Sequence, residues 1–150
     1  MAKPFPLRPL QDLIQTRVDD AAKALGFLVA SERDTKDKLA MLEDYRRDYL
    51  ERFKAASQNG LTPAAWRNFQ DFMDKIDAAI EQQKKSVHLS QQRTAQGQAE
   101  WLAQHNKLKA IDTLAERHMS AEQYREAKRE QKQQDEFAAR KSWDKNPDFT

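Results

Sequence analysis

The chain has 150 residues, of which 33% are charged and 39% hydrophobic, and its net charge is only +2. It has no cysteine, which excludes disulfides and thiolate metal sites, and no run approaches the roughly 20 apolar residues that span a bilayer. A near-neutral balance of interspersed charges argues against a nucleic-acid footprint.

Pro4, Pro6 and Pro9 keep the start extended, and the stretch has no apolar run of signal-peptide length. Pro9 suits the first turn of a helix, where its missing N–H has no intrahelical acceptor. From there Ile14, Val18, Ala21, Leu25, Leu28, Leu39, Leu42, Tyr49, Phe53 and Ala56 recur at spacings of three and four. That is a heptad seam for packing one helix on another, interrupted by polar Glu32, Thr35 and Arg46. The first helix is predicted over 9–58.

A turn follows at 59–62. Asn59-Gly60 supplies a residue able to take the left-handed conformation, Thr62 an N-cap and Pro63 a first helical residue. So short a connection favours antiparallel neighbours. The second helix is predicted over 63–141, with a seam of Trp66, Phe69, Met73, Ile76, Ile80, Val87, Ser90, Thr94, Gly97, Trp101, Leu108, Ile111 and Ala115. Residues 142–150 read as a disordered tail.

A fold about Gly60 sets residue i opposite about residue 120 − i, so Glu32–Thr35 should face Lys84, Lys85 and His88 and pair by charge. The second helix is also longer than the first. Beyond about Ala115 it should overhang without a partner inside the chain, and a lone charged helix is marginal in water. The expected fold class is all-α: one domain forming an antiparallel two-helix coiled coil, a long helical hairpin with an overhanging C-terminal helix.

Catalytic chemistry finds little support. His88, His105 and His118 are too far apart to share a metal on one helix, and the adjacent pairs Asp19-Asp20 and Asp135-Glu136 diverge by about 100° on a helix. There is no glycine-rich phosphate loop and no nucleophile beside a base, so neither an enzyme nor a cofactor is expected. The more informative anomaly is a second apolar stripe, Phe72, Ile76 and Ala79, extended by Gln83 and lying beside the seam. One partner helix cannot cover both stripes, which would leave Phe72 exposed as a docking anchor. Arg125, Lys128, Arg129 and Lys132 are interleaved with Glu122, Glu126 and Glu130, the pattern of a solvated helix rather than of a membrane or nucleic-acid surface.

Three stretches carry a resemblance. They are Arg17-Val-Asp-Asp-Ala-Ala-Lys-Ala-Leu-Gly26; Leu39-Ala-Met-Leu-Glu-Asp-Tyr45 through Tyr49, the Asn-Gly turn, Trp66, Phe69 and Phe72 to Ala78-Ala-Ile-Glu-Gln82; and Gln131-Lys-Gln-Gln-Asp-Glu-Phe-Ala-Ala-Arg140. In order and content they resemble the flagellar type III export protein family FliJ. The resemblance implies a non-enzymatic stalk that binds and stimulates the export ATPase ring, linking it to the membrane export gate and to export chaperones. It implies a cytoplasmic location, peripheral to the membrane at the flagellar basal body and without insertion into it. Phe72, Ile76, Ala79 and Gln83 then become candidates for docking on the gate, and Asp135, Glu136, Phe137 and Arg140 for contacting the ring. The other readings are a coiled-coil scaffold or chaperone with no ATPase, and the equivalent stalk of a virulence secretion system.

Overall fold

The computed structural model describes residues 2–144. Two long helices packed against each other make up the protein: α1, Arg8–Ala56, and α2, Pro63–Asp144. No strand occurs among the described residues. The all-α, two-helix expectation therefore holds, while the helix ends differ slightly. Ser142, Trp143 and Asp144, expected to begin a disordered tail, continue α2; residues 145–150 of that expected tail lie outside the described residues.

The connection follows its residue chemistry. Ser57–Asn59 form one 3₁₀ turn, after which Gly60 adopts φ 97°, a conformation that costs other residues steric strain. The Ala65 N–H donates to Thr62 Oγ1 at 3.1 Å, the N-cap bond, and Pro63 opens α2.

Contacts between residues divide the chain into two units, one of residues 19–103 (the turn unit) and one of residues 1–18 with 104–150 (the terminal unit). In the turn unit the helices are antiparallel, and the contacts across them fall on both sides of the 120 − i expectation: Tyr49 stacks on Phe69 and Gln83 donates to the Thr35 carbonyl, while Phe53 stacks on Phe69, Leu28 takes a hydrogen bond from Thr94 and Thr35 meets Ser90.

Across the polar gap, hydrogen bonds stand where charge pairing was expected. Thr35 Oγ1 and Ser90 Oγ lie 2.9 Å apart, Gln83 Nε2 donates to the Thr35 carbonyl at 2.9 Å, and Thr94 Oγ1 donates to the Leu28 carbonyl at 3.3 Å. Lys36 and Lys84 instead bind Glu32 and Glu81 on their own helices. Ser90 and Thr94 are buried hydroxyls whose hydrogen-bonding needs are met, so the gap is polar but satisfied. One turn further, a Cβ on Gly97 would lie 2.6 Å from Leu28 Cδ1; glycine there admits the Leu25 and Leu28 side chains.

The core of the turn unit is Met73, Ile76 and Ile80, packed by Leu39, Leu42, Tyr49, Phe69 and Phe72. The terminal unit centres on Ile14, Val18 and Ile111, with Phe5 and Leu108 against them. Each is a thin core, as expected where one helix has only one partner: no large side chain is fully enclosed among the described residues.

Candidate partner-binding surfaces

The four gate candidates differ in exposure. Phe72 is half-buried. Its ring centroid lies 4.1 Å from that of Tyr49 and 5.9 Å from that of Tyr45, so the ring expected to stand free is sandwiched from α1. Ile76 is buried at 6% exposure, and Gln83 is half-buried and engaged with the Thr35 carbonyl. Ala79 alone is exposed. The second stripe is thus largely absorbed, because Tyr45 and Tyr49, four residues apart, reach around the side of α2. What remains accessible there is Ala79, the edge of Phe72, and Tyr45, which is 53% exposed. Periodicity does not mark Tyr45 as a surface residue of interest, because it sits beside the seam position held by Arg46. Arg46 bonds Asp77 at 2.6 Å in a solvent-accessible pair.

Toward the turn, Tyr49, Phe53, Trp66 and Phe69 continue a ladder of aromatic rings. Phe53 stacks on Phe69 at 3.6 Å, and Trp66 lies 5.9 Å from each of them. Trp66 remains 46% exposed.

In the terminal unit, the expected start of the overhang is corrected. Lys3 and Phe5 lie across α2 well beyond Ala115. The Phe5 and His118 ring centroids are 5.7 Å apart, and the Lys3 N–H donates to Glu122 Oε2 at 3.3 Å. His118 Nε2 is 2.9 Å from the Lys3 carbonyl. A carbonyl only accepts, so that nitrogen carries the proton. Glu122 is 3% exposed and its second oxygen takes the Arg125 guanidinium at 3.0 Å. The Lys3 N–H, helped by the positive charges of Arg125, His118 and Lys3, holds this carboxyl below the ordinary glutamate value against the opposing effect of its burial. Gln11 Nε2 donates to Asp112 Oδ1 at 2.8 Å, tying the start of α1 to the same stretch. The sequence offered one signal for this arrangement, an aromatic residue set between two prolines, Pro4 and Pro6.

The ring candidates Asp135, Glu136, Phe137 and Arg140 are all exposed on α2. Glu136, Phe137 and Arg140 share a side, at spacings of three and four, whereas Asp135 points about 160° away from Phe137. Phe137 is 65% exposed, with Lys141 Nζ 5.6 Å from its centroid, and it borders a shallow depression with Glu130, Gln133 and Gln134. Every residue of α2 from Ala127 to Asp144 is exposed.

Among the described residues no group of histidine and carboxylate side chains is placed to hold a metal, and no helix is long and apolar enough to cross a membrane.

A solved structure described as a YscO homolog from Chlamydia trachomatis shares the fold, with a TM-score of 0.69 at 18% identity over 97% of this chain and 99% of that one. Flagellar FliJ proteins of Salmonella typhi and Escherichia coli K12 are 32% and 31% identical over 93% of this chain and 95% of their own length. The family described as Flagellar FliJ protein matches residues 3–147. A match over nearly the whole length, on a fold whose two helices pack as the sequence pattern requires, places this chain in the flagellar FliJ protein family.

Proposed function

We propose that the protein is the stalk of the flagellar type III export apparatus, binding and stimulating the ring of the export ATPase and linking it to the membrane export gate and to export chaperones. The observation that carries this reading is the exposure of α2 beyond Glu126 in a chain that belongs to the FliJ family over almost its full length. A long helix with one bare end and one partnered stretch suits a protein that enters a ring at one site and meets a second partner at another.

The mechanism needs no chemistry from this chain. A helix pair resists bending better than a single helix, so an asymmetric contact made at one place can be felt at another. One chain in a ring of identical subunits meets different subunits differently, and it shifts the population of their conformations by its differential affinity for each. The energy comes from the ATPase or an ion gradient. The protein acts on the cytoplasmic side of the membrane, at the base of the flagellum. Glu136, Phe137 and Arg140 face the ring. The gate meets Ala79, Tyr45 and the accessible edge of Phe72, with Ile76 and Gln83 supporting that surface from beneath. Identity of 32% to flagellar relatives favours the flagellar over a virulence system.

Adding the purified full chain to the purified export ATPase tests this directly. The rate of ATP hydrolysis should rise and saturate with added chain. A rate unaffected by excess chain contradicts the ring assignment and leaves a scaffold that works without an ATPase.

A further inference from the structure

One side of α1, wholly inside the turn unit, has no partner. Asp34, Lys38, Met41, Tyr45, Asp48 and Arg52 follow one another at spacings of four and three, and all six are exposed. At about 100° per residue they lie within about 40° of one line, which runs about 100° around the helix from the seam facing α2. The centre of this row is apolar, with Met41 64% and Tyr45 53% exposed. Its ends are charged. Asp34 and Lys38, like Asp48 and Arg52, stand four apart, a spacing that allows ion pairs within one helix. Among the described residues neither pair forms, whereas Lys36 and Arg47 on the same helix bind Glu32 and Asp44.

The row is its own complement. Turned end for end about the level of Glu43, it sets Asp34 against Arg52, Lys38 against Asp48 and Met41 against Tyr45. Each contact then occurs twice, as a twofold axis requires of an interface between identical chains. Two copies laid in the same direction would instead oppose Asp34 to Asp34, Lys38 to Lys38, Asp48 to Asp48 and Arg52 to Arg52, and like charges so placed repel.

We propose that this side of α1 docks a second copy of the chain, the two α1 helices lying antiparallel about a twofold axis level with Glu43. The charge order fixes both the occupant and its direction, while Met41 and Tyr45 supply the apolar contact. From Asp34 to Arg52 the row is about 27 Å long. That is small for a stable dimer, so the pairing belongs to the weak class that buries less than about 1,200 Å² and fills only as concentration rises. Tyr45 also belongs to the surface proposed for the gate, so a chain paired in this way is withheld from it.

Sedimentation equilibrium of the purified full chain between about 10 and 500 μM tests this, and the unaltered chain should pass from monomer towards dimer across that range. Lys38→Glu sets like charges against each other at two places in the pair and should weaken dimerisation at least about tenfold. Adding Asp48→Lys to it restores opposite charges across the axis and should bring dimerisation back to within about threefold of the unaltered chain. Both positions are exposed, so helicity and the denaturation midpoint should stay as they were. A chain that remains monomeric throughout, or a dimer indifferent to Lys38→Glu, overturns the inference. So does a double variant that associates no better than Lys38→Glu alone. The chain has no cysteine, which gives direction a second readout. Asp34→Cys and Arg52→Cys chains, mixed and oxidised, should cross-link to each other in preference to themselves; the opposite preference overturns the antiparallel arrangement.

Discussion

Replacing Ile76 with aspartate should abolish the cooperative unfolding transition of the turn unit. Ile76 is 6% exposed between Met73 and Ile80, with Leu39 and Leu42 packed against the same cluster. The substitution loses about 2–4 kcal/mol of packing and burial, and a carboxylate placed there costs several kcal/mol more unless it takes up a proton. Whole domains are stable by only about 5–15 kcal/mol, and a core of two helices has little to spare. Chemical denaturation followed by far-UV circular dichroism checks this; an unshifted midpoint would mean that α1 and α2 are not paired around Ile76. Ala79→Asp is the companion measurement. Ala79 is exposed, so its effect on stability should stay within about 0.5 kcal/mol. If the gate docks here, Ala79→Asp weakens gate binding in a natively folded chain, whereas Ile76→Asp weakens it only by unfolding the surface.

The second large effect is expected at the far end of α2. Phe137→Asp removes an aromatic side chain that is 65% exposed and contacts little beyond Lys141 of its own helix. The folded chain should barely register the change, with its denaturation midpoint unmoved. Affinity for the export ATPase should fall at least about tenfold, the loss expected of an aromatic anchor at the centre of an interface. Asp135→Asn is the internal control, because Asp135 points to the opposite side of the helix and should leave affinity close to that of the unaltered chain. Equal losses from Phe137→Asp and Asp135→Asn would point to general electrostatics rather than to a specific face. No loss from Phe137→Asp would move the ring contact elsewhere.

How far the sequence reveals such a protein depends on the range of the physics involved. Heptad spacing is local, so Ile14, Val18, Met73, Ile76, Ile80 and Ile111 are legible as the core directly from their intervals, and all six are buried. Cap chemistry is local too, which is why Thr62, Pro63 and Gly60 mark the connection correctly. Which side chains pair across the seam is harder to read, because spacing sets the face of a residue but not the reach of its side chain: Thr35 meets both Ser90 and Gln83, while Lys36 and Lys84 turn to acids on their own helices.

Long-range contacts of side chains outside the seam are least legible. Tyr45 and Tyr49 embrace Phe72 because they flank the position of α1 that faces it and their rings are long enough to reach it, so an apolar stripe that looks free in sequence is half covered in the fold. Lys3 and Glu122 are 119 positions apart and neither belongs to an apolar track. The buried carboxylate at Glu122 looks in sequence like one more charge on a solvated helix. Only the chain's start lying across α2 reveals it as an anchor.

The proposed stalk belongs to an export machine and meets both a ring and a gate. A nuclease-treated pull-down of the full chain from its native cell, with the bound proteins identified by mass spectrometry, tests that most directly. Recovery of a flagellar export ATPase together with an export-gate membrane protein is the expected result. Recovery of unrelated helical partners, with both of those absent, would contradict it and leave a coiled-coil scaffold in its place.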